Sequence, residues 1–174
     1  MKPFTRTTLI CALAGLFGLP AQAADMTIKV AIPKIEVAEY HRPYVAIWLQ
    51  SPDRKTVRDI AVWYQTESKG EEGSQWLKDL RQWWRLSGRN QGEPADGVSG
   101  ATRAVGVQTV EVAADHKALA DLPAGEYELL VEAAREKGGR ELVRLPLTWP
   151  PASDKVLTQQ GETELGAIEV TTRP

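Results

Sequence analysis

The stretch YVAIWLQSPDRKTVRDIAVWY, residues 44–64, decides the fold. Its first part, YVAIWL over residues 44–49, is a near-continuous apolar run of strand length. Ser51, Pro52, Asp53, Arg54 and Lys55 then supply turn chemistry. VRDIAVWY, residues 57–64, returns as a second strand, and the two runs predict a hairpin. Trp48 and Trp63 are expected to pack in or near the core of its sheet.

Further strands follow on both sides. MTIKVAI (residues 26–32) and VQTVEV (107–112) alternate apolar and polar with the strand period of two. YELLVEA (127–133) and ELVRLPL (141–147) flank a Lys137-Gly138-Gly139 turn as a second hairpin. Pro146 inside the return strand suggests an edge or a bulge, because proline cannot donate to a ladder. LGAIEVT (165–171) closes the chain as a last strand, after an irregular segment opened by Pro150-Pro151. Residues 115–122 suit one helical turn.

One longer helix is expected over about residues 75–86. Ser74 is placed to cap it, and Trp76, Leu77, Leu80, Trp83 and Trp84 recur on one helical face. Ser87-Gly88 is read as its stop. Residues 87–106 then show no periodicity and hold five glycines and Pro94, a long Gly-rich loop. Structureless connections longer than about 12–15 residues are usually functional or disordered. Short strands at hairpin spacing with one helix predict a mainly β chain, an immunoglobulin-like β-sandwich.

The ends and the composition bound the function. Lys2, Arg6, an apolar stretch over residues 9–19 and the small-residue site Ala21-Gln22-Ala23 match a cleaved secretory signal. Cleavage after Ala23 leaves residues 24–174 as a single periplasmic β-sandwich domain. The apolar stretch is too short to span a bilayer, so no stable membrane insertion is expected. Cys11, the single cysteine, lies within the signal, and the mature chain is expected to contain no disulfide or thiolate chemistry. Loss of Lys2 and Arg6 leaves 19 basic against 23 acidic residues, a formal charge of −4 with no stripe for nucleic acid. His41 and His116 are not in metal spacing, and there is no G-x-S-x-G elbow, P-loop or dinucleotide fingerprint.

What remains is DGVSGAT, residues 96–102. It resembles the flavinylation motif D-x-x-[ST]-G-A-[ST] of the FMN-binding domains of sodium-pumping NADH:quinone reductases and other exported redox proteins. Asp96, Ser99, Gly100, Ala101 and Thr102 fill every fixed position. The resemblance implies covalent FMN, esterified through its phosphate to Thr102 by a separate FMN transferase that cleaves FAD. The residue types suit that chemistry. The acceptor must be a hydroxyl, glycines let a second backbone approach, and small Ala101 leaves room for a phosphate. Asp96 and Ser99 would be recognised by the transferase or shape the loop. Arg103, next in sequence, could pair with the phosphate.

The wider chain has a second resemblance. YHRPYVAIWLQ (40–50), WLKDLRQWWR (76–85), DGVSGATRAVG (96–106) and LPAGEYELLVEAAREKGGR (122–140) appear in that order. Together they resemble an uncharacterised family of predicted bacterial periplasmic proteins, associated with FMN transferases and PepSY-type membrane redox partners. The resulting expectation is an exported flavoprotein-type electron carrier, with Trp83, Trp84 and Tyr64 as surfaces for the flavin ring. It would be a carrier rather than a self-sufficient enzyme, since no substrate-activating set is visible. The alternative is a non-catalytic periplasmic binding or accessory module without cofactor, in which the loop recognises a partner and Arg42, Arg81 and Arg85 line a patch for an anionic ligand.

Overall fold

The computed structural model describes residues 24–66, 73–91 and 97–174. The expected signal sequence, the polar run after Thr66 and Asp96 lie outside the described residues. Nine strands are present among those described: β1 (Asp25–Ile32), β2 (Tyr44–Gln50), β3 (Val57–Tyr64), β4 (Ser99–Ala101), β5 (Gly106–Val112), β6 (Gly125–Ala134), β7 (Arg140–Trp149), β8 (Lys155–Gln160) and β9 (Ala167–Arg173). They form a four-stranded sheet in the order β5-β1-β9-β8 and a five-stranded sheet in the order β4-β3-β2-β6-β7. All pairs are antiparallel except β3 with β4. The chain is a β-sandwich.

Side-chain alternation builds the core between the sheets. Met26, Ile28, Val30 and Ile32 of β1, with Ile168 and Val170 of β9, face Val45, Ile47 and Leu49 of β2 and Leu129, Val131 and Ala133 of β6. Most of these side chains are wholly removed from water. Full burial of one such aliphatic side chain contributes about 1.5–3 kcal/mol. The hairpin of β2 and β3 forms as expected, and Trp48 and Trp63 are both buried. They face opposite ways: Trp63 joins the core between the sheets, and Trp48 joins a second cluster on the outer face of the five-stranded sheet. A register shift opposite Ile47 and Trp48 accompanies this, leaving Ile60 unpaired so that it and Ala61 both reach the inner core.

That second cluster explains why β2 is apolar from Tyr44 to Leu49. Tyr44, Ala46 and Trp48 pack outward against Leu77, Leu80 and Trp83, so the strand is covered on both faces. The covering layer is the expected helix in altered form. Ser74–Asp79 is a 3₁₀ turn, Leu80 breaks it at φ −75 and ψ 70, and a second stretch follows. That stretch runs through Arg81–Trp83, a π-helical turn over Trp84–Gly88, and Arg89–Gln91. The apolar stripe is narrower than the tryptophans suggest. Leu77, Leu80 and Trp83 are buried, while Trp76 remains half exposed. The cap position before the first turn falls on Gly73, not Ser74.

Gly88 does not stop the helix. A Cβ there would lie 2.6–2.8 Å from ring atoms of Trp83 and Trp84, so glycine is needed for their close packing. The long Gly-rich loop is therefore shorter than expected, with helix through Gln91 and strand from Ser99. Pro146 lies on β7, an edge strand, as its chemistry requires. The segment after Pro151 is not wholly irregular, because it contains β8, an edge strand exposed at five of six positions and without a readable alternation.

Candidate functional site

The helical layer sets the position of residues 97–103. Antiparallel strands can join through a short turn, whereas parallel neighbours need a crossover, usually helical. β3 leaves the sheet, the chain crosses its outer face through the helical layer, and β4 returns parallel to β3. The register pairs Val62 with Ser99, Trp63 with Gly100 and Tyr64 with Ala101. The Val62 amide donates to the Val98 carbonyl at 2.8 Å, and the Thr102 amide donates to the Tyr64 carbonyl at 3.1 Å. β4 is the terminal strand of its sheet, so among the described residues its other edge has no strand partner.

Each residue of the motif has a distinct setting. Gly97 has φ 79 with nothing within 4 Å of where a Cβ would be, so the backbone and not crowding demands glycine. Val98 is buried in the outer cluster and anchors the segment. Ser99 and Gly100 are half-buried and Ala101 is exposed. Thr102 is half-buried, and among the described residues its hydroxyl makes no hydrogen bond. The Arg103 guanidinium carbon lies 5.3 Å from the Trp63 ring centroid. A Cβ added to Gly100 would sit 3.7 Å from Arg103 Nη2, so the guanidinium folds back along β4. Such a cation–π contact contributes about 0.5–1 kcal/mol at an exposed site. No carboxylate of the described residues pairs with Arg103, leaving its donors available to an anion. Ser99, Gly100, Ala101, Thr102 and Arg103 are thus brought together at one sheet edge.

Two of the three rings expected to support a flavin are spent on the outer cluster. Trp83 is fully buried and its indole N–H donates to Asp59 Oδ1 at 3.1 Å. Tyr64 is nine-tenths buried in the same cluster, while Trp84 packs against it and is only partly buried. The histidines are also locally engaged. His41 lies between Glu39 at 3.0 Å and Glu136 at 3.3 Å, and His116 Nδ1 accepts the Ala118 amide at 3.1 Å.

Two carboxylates that carry no motif hold the helical layer. Glu132 on β6 is completely buried. Its oxygens accept the Gln82 amide at 3.0 Å, the Trp83 amide at 2.8 Å and Arg140 Nη1 at 2.8 Å. It thereby caps the second helical stretch from another element, satisfying amides that have no intrahelical partner. Asp59 on β3 accepts the Trp83 indole, the Ser87 hydroxyl and the Gln91 amide at the other end of that stretch. β6 carries three glutamates, Glu126, Glu128 and Glu132, so the sequence gives no signal that singles out Glu132.

Fold and site define a β-sandwich whose helical crossover fixes a short, hydroxyl-bearing strand at a sheet edge. The chain belongs to the family described as predicted periplasmic protein (DUF2271), which matches residues 25–167. It is a periplasmic protein. No curated protein and no solved structure matches it.

Proposed function

We propose that the protein is a periplasmic electron carrier whose FMN is esterified to Thr102. The observation that carries this reading is the setting of the Thr102 hydroxyl. Among the described residues it has no hydrogen-bond partner and Arg103, next in sequence, has no carboxylate partner, and Thr102 directly follows the terminal strand β4. The open edge of β4 suits a transferase that grips its target by adding a strand, since main-chain hydrogen bonds then need only an extended segment. In the transfer, the Thr102 oxygen attacks the FMN phosphorus of FAD. A new phosphoester bond forms, the pyrophosphate bond breaks, AMP leaves and the hydroxyl proton is released. Arg103 would hold the resulting phosphodiester by a charge-assisted bond. Bound FMN supplies one- and two-electron chemistry, and a PepSY-type membrane protein is the proposed redox partner.

The test is coexpression with an FMN transferase, followed by intact-mass measurement. The wild-type chain and Thr102→Ser should gain the mass of FMN less water, and Thr102→Ala should gain nothing. An unmodified wild type, or a modified Thr102→Ala, overturns the assignment. One observation favours a cofactor-free binding module: Val98 is buried, so the motif also closes the outer cluster. On that reading the purified protein stays colourless with active transferase, and β4 amides gain exchange protection only when a partner protein is added.

A further inference from the structure

Five large apolar side chains are exposed among the described residues: Val37, Trp76, Val105, Val107 and Val156. Three of these lie where β1 leaves its sheet and β5 enters it, because Ile32 pairs with Gly106 and Ala31 with Val107. Here the segment after β1 and the residue before β5 line an open hollow of about 430 Å³. Ile35, Val37, Tyr40 and Val105 form its apolar wall, and Lys34 and Glu36 are also in its lining. The Tyr40 hydroxyl is buried and has no hydrogen-bond partner among the described residues. That oxygen has no accessible surface, so Tyr40 contributes its ring, not its hydroxyl, to the wall of the hollow.

We propose that this hollow seats the isoalloxazine ring of a flavin attached at Thr102; the inference rests on the reading of Thr102 given above. Three observations converge on that occupant. The hollow begins three residues from the attachment hydroxyl, and the intervening chain spans at most about 11 Å. That distance suits the ribityl phosphate arm. The wall is aliphatic with one aromatic ring, the surface a flat apolar heterocycle requires. The ring's pyrimidine edge carries both acceptors and an N–H donor. The exposed Lys34 and Glu36, whose own ion pair measures 2.7 Å, can pair with it.

The experiment uses full-length protein loaded by coexpressed transferase, as wild type, Tyr40→Phe, Val37→Asp and Val105→Asp. Val37 and Val105 are nearly half exposed, so these changes leave the core intact. Intact mass reads attachment, and iodide quenching with fluorescence anisotropy reads the ring's setting. All four proteins should carry the same added mass. The wild-type ring should be rigid and shielded from iodide. The two aspartate variants should approach the quenching of free FMN. Tyr40→Phe removes a hydroxyl that the hollow does not expose, keeps the ring in the wall, and should quench like the wild type. Equal mass with a wild-type ring as accessible as free FMN overturns the seat while leaving the attachment standing. Absence of added mass overturns the attachment instead. Riboflavin titrated into the unloaded protein then decides the seat: iodide shielding lost in Val37→Asp supports it, and no shielding in the wild type overturns it.

Discussion

Replacing Glu132 by alanine should be the most damaging single change to the layer that positions the motif. The carboxylate is wholly buried and receives two backbone amides and one guanidinium. A hydrogen bond to a charged group is worth about 1.5–3 kcal/mol, so the two amides together account for roughly 3–6 kcal/mol. The Arg140 contribution is discounted, because its side chain is 40% exposed and water can replace the carboxylate. Removal of one partner from a buried ion pair costs about 3–5 kcal/mol, which agrees with the amide figure. At about 2–4 °C per kcal/mol for a domain of this size, the Tm should fall by roughly 6–20 °C. Thermal unfolding followed by tryptophan fluorescence measures it. Hydrogen exchange adds a local readout. The Gln82 and Trp83 amides should lose protection first, and the Thr102 amide should follow because β4 is delivered by the same crossover. Glu132→Gln keeps the shape but sets an amide donor against backbone N–H groups, and should fall between. A Tm change under about 2 °C for the alanine variant would refute the capping role.

Other outcomes follow from the same geometry. Gly88→Ala drives a methyl into Trp83 and Trp84, and overpacking of this kind costs about 1–3 kcal/mol, read as a lower urea midpoint. Gly97→Ala forces a non-glycine residue to φ 79 and should cost on the order of 1 kcal/mol, with Gly97→Asn milder; equal midpoints for all three would deny the strain. Burial raises the Glu141 pKa, but the amides of Glu162, Leu165, Thr163 and Glu164 outweigh it and hold the carboxyl below its ordinary value of 4.5. A depressed folded-state pKa contributes stability above the unfolded value and loses it as pH falls through the folded one. The stability gap between wild type and Glu141→Gln should therefore be full at neutral pH and narrow below about pH 4.5. A gap constant from pH 7 to pH 3 would contradict this.

The sequence carried the sandwich because most strands obey one of two simple patterns. β1, β7 and β9 are half-covered and alternate, while β2 is covered on both faces and reads as a continuous apolar run. β8 was not legible, since an exposed edge strand needs neither alternation nor apolar residues. β4 was hidden for another reason. Its three residues are small and turn-like, and its strand conformation comes from pairing with β3 rather than from propensity. The helix was legible as an apolar stripe. Its break at Leu80 and its continuation past Gly88 were not, because both follow from contacts with Glu132, Trp83 and Trp84 across the fold.

The misreading of residues 87–106 as one loop bears directly on function. A modification site on a free loop would be extended only part of the time, and a transferase would have to supply the order. Here the crossover does so beforehand. The Val98 carbonyl and the Thr102 amide are both tied to β3, and Val98 is buried as an anchor. One edge of the segment is thus spent on the fold and the other is left open. Preorganisation of this kind lowers the entropic cost of recognition. It also makes the motif depend on residues far from it in sequence, Glu132 and Asp59 above all, because they hold the helical layer through which β4 is delivered. On the proposed attachment at Thr102, a chain with an intact DGVSGAT but a loosened helical layer should consequently be a poorer substrate for an FMN transferase than the heptad alone would suggest.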